Sequence, residues 1–152
     1  AFKIVKEKIP EAELWIIGDG YLRKDLEKIS DNGVKLLHNL SNDDRRKLIK
    51  KAWVLVNPSV REGFGLNVIE ANALGVPCIA YDVEGLRDSI RNGKTGLLVK
   101  PGDVKALAEG LLKVLTDEDL RGKLSESALE YSRNFSWDRT AEEFMKVIEE
   151  AI

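Results

Sequence analysis

The 152 residues contain one cysteine, four prolines and only 7% aromatic side chains. A single thiol, Cys78, makes no internal disulfide, which fits a reducing compartment. The longest uninterrupted apolar run, Ala52 to Val56, falls far short of the roughly 20 residues that cross a bilayer. No signal-like stretch opens the sequence, so it reads as cytoplasmic. Charge of one sign is lacking too: 24 Lys and Arg face 26 Asp and Glu, a net charge of −2. That balance offers no basic field to a polyphosphate backbone, and nucleic acid is not an expected partner. What is present, 43% hydrophobic and 33% charged residues, excludes collagen-like, low-complexity and disordered classes and predicts one domain around one core. Lys and Glu dominate the charged set, a composition more frequent in heat-adapted proteins.

Five runs of β-branched and aliphatic residues recur over the first hundred positions: Leu14 to Ile17, Val34 to Leu37, Trp53 to Val56, Cys78 to Tyr81 and Leu97 to Val99. Each predicts a buried strand. Helical patterns lie between them, over Leu22–Ser30, Asp43–Ala52, Leu66–Leu74 and Leu86–Arg91, and such alternation builds parallel sheets. The predicted class is α/β, a Rossmann-like parallel sheet flanked by helices. Three helices follow without strands, over Val104–Leu115, Glu118–Arg133 and Trp137–Glu150, with Asp103, Asp117 and Ser136 as their caps. At the front, Phe2, Val5 and Ile9 have helical spacing with no strand before them. A doubly wound sheet normally opens with a strand near its middle, so the front of the domain reads as cut. If the order 3-2-1-4-5-6 holds, two inner strands are left with an opening between them.

The segment with most chemistry is Asn57-Pro-Ser-Val-Arg-Glu62-Gly-Phe-Gly65-Leu-Asn-Val-Ile-Glu70-Ala-Asn-Ala-Leu-Gly75, directly after the third strand. A strand, a glycine loop and a helix in that order put a ligand at the carboxyl end of the strand. Gly63 and Gly65 allow the backbone to approach it closely. The amides of Leu66, Asn67 and Val68 are expected to be free donors for an anion such as a diphosphate. Glu62 and Glu70, with seven residues between them, are expected to face one crevice and grip hydroxyl pairs on different parts of the ligand. Diol acceptors around a diphosphate site describe a nucleotide sugar. No GxGxxG occurs here, which disfavours a nicotinamide or flavin.

Glu62 to Glu70, enclosing Gly63-Phe64-Gly65-Leu66, resembles the Glu-x7-Glu motif of the group 1, retaining family 4 glycosyltransferases. Gly18-Asp19-Gly20, Val34 to Ser41, Asn57-Pro58-Ser59, Ala73 to Pro77, Gly93 to Val99 and Pro101-Gly102-Asp103 follow in the family's order. The resemblance is to the C-terminal, donor-binding lobe of the GT-B arrangement. It implies a hexosyltransferase-type enzyme that moves sugar from a nucleoside-diphosphate sugar to a glycan, lipid or small molecule, with no cofactor and no obligatory metal. Glu62 would face the donor sugar as the catalytic-site carboxylate. Glu70 would bind the ribose, the stretch from Phe64 to Asn67 would hold sugar and diphosphate, and Gly18 would line the diphosphate side. The segment Leu37 to Leu40, with His38 and Asn39, would lie by the nucleobase. The N-terminal acceptor lobe is outside this sequence, and residues 1–152 alone are expected to be inactive.

Three departures stand out. His38 replaces a common glycine and is either a base-stacking neighbour or a polar surface residue. Val83-Glu84-Gly85 stands where paired glycines are common, which puts Glu84 near the diphosphate, so that either its side chain turns away or the loop moves when donor binds. Asp88 stands where glutamate is common. Elsewhere, Trp15, Trp53 and Trp137 are expected in the core, Cys78 as a small buried hydrophobe, and Asp82 either at a ligand or capping the next turn. The cations Arg45, Arg46, Lys47, Lys50 and Lys51 share one helix, either as a solvated face or as a peripheral contact with anionic lipid. Two other functional readings stay open: a phosphorylase or epimerase lobe of the same architecture, and a non-catalytic interaction module.

Overall fold

A computed structural model describes residues 1–30 and 33–151. Its elements run α1 (Phe2–Lys8), β1 (Leu14–Ile17), α2 (Arg23–Ile29), β2 (Val34–Leu37), α3 (Asn42–Lys51), β3 (Leu55–Asn57), α4 (Leu66–Asn72), β4 (Cys78–Tyr81), α5 (Glu84–Ser89) and β5 (Gly96–Val99), followed by helices α6 (Val104–Thr116), α7 (Glu118–Ser132) and α8 (Trp137–Glu150). Every strand pairing is parallel, as alternating strands and helices require. Asp103, Asp117 and Ser136 cap their helices through bonds from the amides of Ala106, Leu120 and Arg139.

The strands form two sheets, β1–β2 and β3–β4–β5, and β1 does not pair with β3. The division falls where the doubly wound order puts its first strand, once β1 takes the second position and β3 the fourth.

The strand β4 organises the core. Its residues alternate between two faces, as a period of two demands. Ile79 and Tyr81 join Val5, Leu107, Ala108, Leu111, Val114 and Leu124 from α1, α6 and α7. Cys78 and Ala80 join Val68 of α4 and Leu86 and Ile90 at α5. Fully burying side chains such as Ile79 or Leu86 contributes about 1.5–3 kcal/mol each, so this three-stranded half carries most of the hydrophobic drive. The β4–β5 pair is close enough that Gly96 has no room for a side chain, because a Cβ there would enter the Cys78 backbone.

Two of the three tryptophans depart from the core expectation. The third strand starts at Leu55, not at Trp53, and Trp53 is turned outward, 57% exposed. The Arg121 guanidinium stacks on its ring at 4.1 Å while donating to the Val114 and Leu115 carbonyls at the end of α6. A cation and an indole face satisfy each other at the surface, so aliphatic neighbours misled the assignment. Trp137 is 78% exposed on α8, whose apolar side also shows Phe144, Met145 and Val147 to solvent. Trp15 is half-buried on β1 and donates its indole N–H to Glu13. No helix among the described residues is long and apolar enough to cross a membrane.

Candidate functional site

The carboxyl end of β3 leads into residues 58–65 and then α4. Asn57, 3% exposed, closes this segment on itself. Its Oδ1 accepts from the Ser59 amide at 3.0 Å, and its Nδ2 donates to Oδ1 of Asn67 at 3.2 Å. A buried amide side chain thus ties the strand end to the first turn of the following helix. Gly65, at φ +81°, is the left-handed residue from which α4 starts, and a Cβ there would press on Leu86 and Ser89. Phe64 is anchored from behind: its ring meets Phe135 edge-on at 5.3 Å, and Phe135 meets Tyr131 at 5.1 Å. The Tyr131 hydroxyl donates to the Asp88 carbonyl, linking α7 to α5.

Among the described residues no hydrogen bond uses the amides of Leu66 and Asn67. The Val68 amide is different, because it donates to the Gly65 carbonyl at 2.9 Å. The expectation of three free donors is therefore corrected to two. The α4 start closes as a tight i to i+3 turn, and that turn uses the third.

The two glutamates have different neighbours. Glu62 lines an open cleft of about 360 Å³ with Val60, Arg61, Val83, Glu84 and Arg87. Glu70, the fifth residue of α4, is held by α3: Arg45 donates to it from Nη1 at 2.7 Å and from Nη2 at 3.3 Å. The carboxylates thus flank the loop, one toward α5 and one toward α3. The cause is helical geometry. Residues 63–65 place Glu62 before α4 begins, and more than one turn of helix then carries Glu70 toward the neighbour on the other side.

Gly85 brings α5 onto the loop, since a Cβ there would collide with the Glu62 carbonyl and the Gly63 backbone. Glu84 is exposed on the cleft that Glu62 lines, so its charge does face the site. Arg61 and Arg87 on the same cleft offset it. Asp82 does not cap α5; it accepts from Nε of Arg87 at 2.6 Å, and its carbonyl accepts from Nη2 at 3.1 Å. The bond to Asp82 holds the Arg87 guanidinium still more firmly protonated than usual.

The remaining expected site residues lie at the carboxyl ends of β1 and β2. Gly18 follows β1, and its own amide is committed to the Leu37 carbonyl at 2.9 Å. His38 and Asn39 are exposed beyond β2, and the left-handed conformation falls on Asn39, φ +53°, not on His38. A histidine is therefore tolerated where a glycine is common in the family it resembles, because its neighbour makes the turn. Ser41 caps α3 through the Asp44 amide at 3.1 Å. Of the helix cations, Arg45 and Lys47 pair with Glu70 and Asp44, so α3 carries no uniformly basic face.

Sequence reasoning missed Asn57 and Arg45. An asparagine ending an apolar run is a signal for the first; nothing local marks the second, whose partner lies 25 positions away. Cys78 is buried as expected, and burial pushes its thiol well above the usual range.

The sequence pattern of the family described as Glycosyl transferases group 1 matches residues 1–131. An uncharacterised glycosyltransferase of Methanocaldococcus jannaschii is 36% identical over 139 residues, which is 89% of this chain and 40% of that protein. The D-inositol 3-phosphate glycosyltransferase of Salinispora tropica is 38% identical over 119 residues, 78% of this chain and 25% of its own length. Among solved structures, sucrose-phosphate synthase from Thermosynechococcus elongatus superposes with a TM-score of 0.86 at 28% identity, covering 97% of this chain and 40% of its own. An Anabaena protein, HepE, solved with UDP and glucose, shares the fold at a TM-score of 0.81 and 18% identity, covering 97% of this chain and 44% of its own. The chain spans between a quarter and two fifths of the length of the two sequence relatives.

Proposed function

The chain belongs to the group 1 glycosyl transferases, and from that premise we propose that residues 1–152 are the lobe that binds a nucleoside-diphosphate sugar and presents it for transfer with retention of configuration. One observation carries the reading. A loop at the carboxyl end of β3, held by buried Asn57, leaves the Leu66 and Asn67 amides unpartnered between a carboxylate on each side. An extended donor fits that arrangement better than a compact ligand would. Its sugar lies by Glu62, its diphosphate over the 63–67 backbone, its ribose by Glu70, and its base toward His38 and Asn39.

In this reading Glu62 accepts from sugar hydroxyls and orients the ring without attacking it. The Leu66 and Asn67 amides stabilise charge that develops on the departing nucleoside diphosphate. Arg61 and Arg87 partly offset Glu62 and Glu84 on the same cleft, Arg87 being shared with Asp82. The acceptor is held by a second, N-terminal lobe, and a parallel strand completes the opening between β1 and β3. The coverage of the relatives supports the first of these and the unpaired sides of β1 and β3 the second.

Calorimetric titration of the purified protein with UDP, GDP and ADP tests the reading. Binding of one of the three is expected, weakened about tenfold or more by Glu70→Ala, the loss of a hydrogen bond to a charged acceptor. Absence of binding to all three overturns it.

A further inference from the structure

We propose that Arg45 is a positioning residue for nucleotide selection: its guanidinium fixes the Glu70 carboxylate so that the lone pairs left free on both oxygens meet a ribose diol. The inference rests on the assignment of Glu70 to the ribose made above.

The contact is two-pointed. Nη1 donates to Oε2 at 2.7 Å and Nη2 to Oε1 at 3.3 Å, the fork arrangement that sets the plane of a carboxylate as a lysine cannot. An ionised carboxylate offers about four acceptor sites, and the fork occupies one on each oxygen. One further site per oxygen remains, the number that two adjacent hydroxyls require. Without Arg45, the Glu70 side chain on an exposed helix face samples several rotamers and presents that pair of sites only part of the time.

Most ion pairs among the described residues join positions three or four apart, whereas this one joins α3 to α4 across 25 positions. Both side chains are partly exposed, 35% for Arg45 and 47% for Glu70, so the pair contributes little to stability. Its consequence is orientation, together with charge. Beside a diphosphate a bare glutamate repels, and a neutralised one accepts hydrogen bonds without that repulsion. The base of the clamp is firm: Ser41 Oγ accepts from the Asp44 amide at 3.1 Å and donates to its Oδ2 at 2.7 Å, which secures the turn from which Arg45 projects.

The test is the preference for ribonucleotide over 2′-deoxyribonucleotide, read by calorimetry with UDP, GDP and ADP against dUDP, dGDP and dADP. For the nucleotide that binds, the unmodified protein is expected to prefer the ribose form by about tenfold or more, one hydrogen bond to a charged acceptor. Arg45→Ala should bring that ratio below threefold with an unchanged melting temperature, Arg45→Lys should give an intermediate ratio, and Glu70→Ala should abolish the preference. A general loss of binding or folding would leave the ratio alone, so the ratio separates orientation from structure. Should Arg45→Ala not fold, Arg45→Gln takes its place in the same comparison. If Glu70→Ala abolishes the preference while Arg45 variants keep or raise it, the inference is overturned and the ribose assignment stands. If Glu70→Ala keeps the preference, the ribose assignment itself fails. No binding of any of the six overturns both.

Discussion

Replacing Asn57 and Asn67 by alanine, singly and together, measures how firmly the donor loop is held. The Nδ2 to Oδ1 bond between them is neutral and partly buried at 3.2 Å, which places its net contribution near 0.5–1.5 kcal/mol. Asn57→Ala also frees the Ser59 amide and empties a site that is 3% exposed, so its total cost should be about 1–3 kcal/mol. Asn67 is exposed at the second position of α4, where alanine is the better helix former, and Asn67→Ala should cost about 0–1 kcal/mol. Their difference from the double variant isolates the bond, with an expected coupling of about 0.5–1.5 kcal/mol. Urea unfolding with an unchanged m-value is the assay, and at this chain length each 1 kcal/mol moves the melting temperature by about 2–4 °C. A coupling within about 0.3 kcal/mol of zero would show that strand and helix are not tied through this pair. The account of a preorganised loop would then fall.

Three further outcomes follow from other contacts. Gly85→Ala should destabilise by about 1–3 kcal/mol because its Cβ meets the loop backbone, whereas Gly63→Ala, with open space around it, should stay within about 0.5 kcal/mol in the same melts. Asn72 is fully buried with neither Nδ2 nor Oδ1 bonded, so Asn72→Leu should raise unfolding stability by about 1–3 kcal/mol, and a loss instead would mean that the amide has a partner in solution. Cys78 has a thiol pushed up by burial, so folding stability should be full below the ordinary thiol value near 8.5 and should fall by about 1.4 kcal/mol per pH unit above it, as only the unfolded chain ionises there. The same burial should protect it from iodoacetamide until the chain unfolds, and labelling of the folded protein at the rate of a free thiol would contradict this.

Periodicity and caps alone determined much of this protein. The aliphatic-rich runs at 14–17, 34–37 and 78–81 became strands over those same residues, but only β4 is buried throughout, as expected for all three; β1 and β2 are half-buried, and Lys35 of β2 is exposed. Asp103, Asp117 and Ser136 cap their helices because a short acceptor side chain before a helix has one obvious donor to meet. The glycine loop between Glu62 and Glu70 was equally legible, because Gly65 takes a left-handed conformation that few other residues adopt.

Only the tertiary structure decided where side chains at the surface find their partners. Trp53 lies outside the core because Arg121, 68 positions away, supplies a cation for its face, a pairing that local sequence does not encode. The two glutamates meet different neighbours for the same reason: their spacing is local, but the direction of Glu70 is set by Arg45 on another helix, and the backbone at Glu62 is packed by Gly85 of α5. Hydrophobic pattern is a property of neighbours along the chain, whereas the orientation of a carboxylate depends on which charges folding brings beside it.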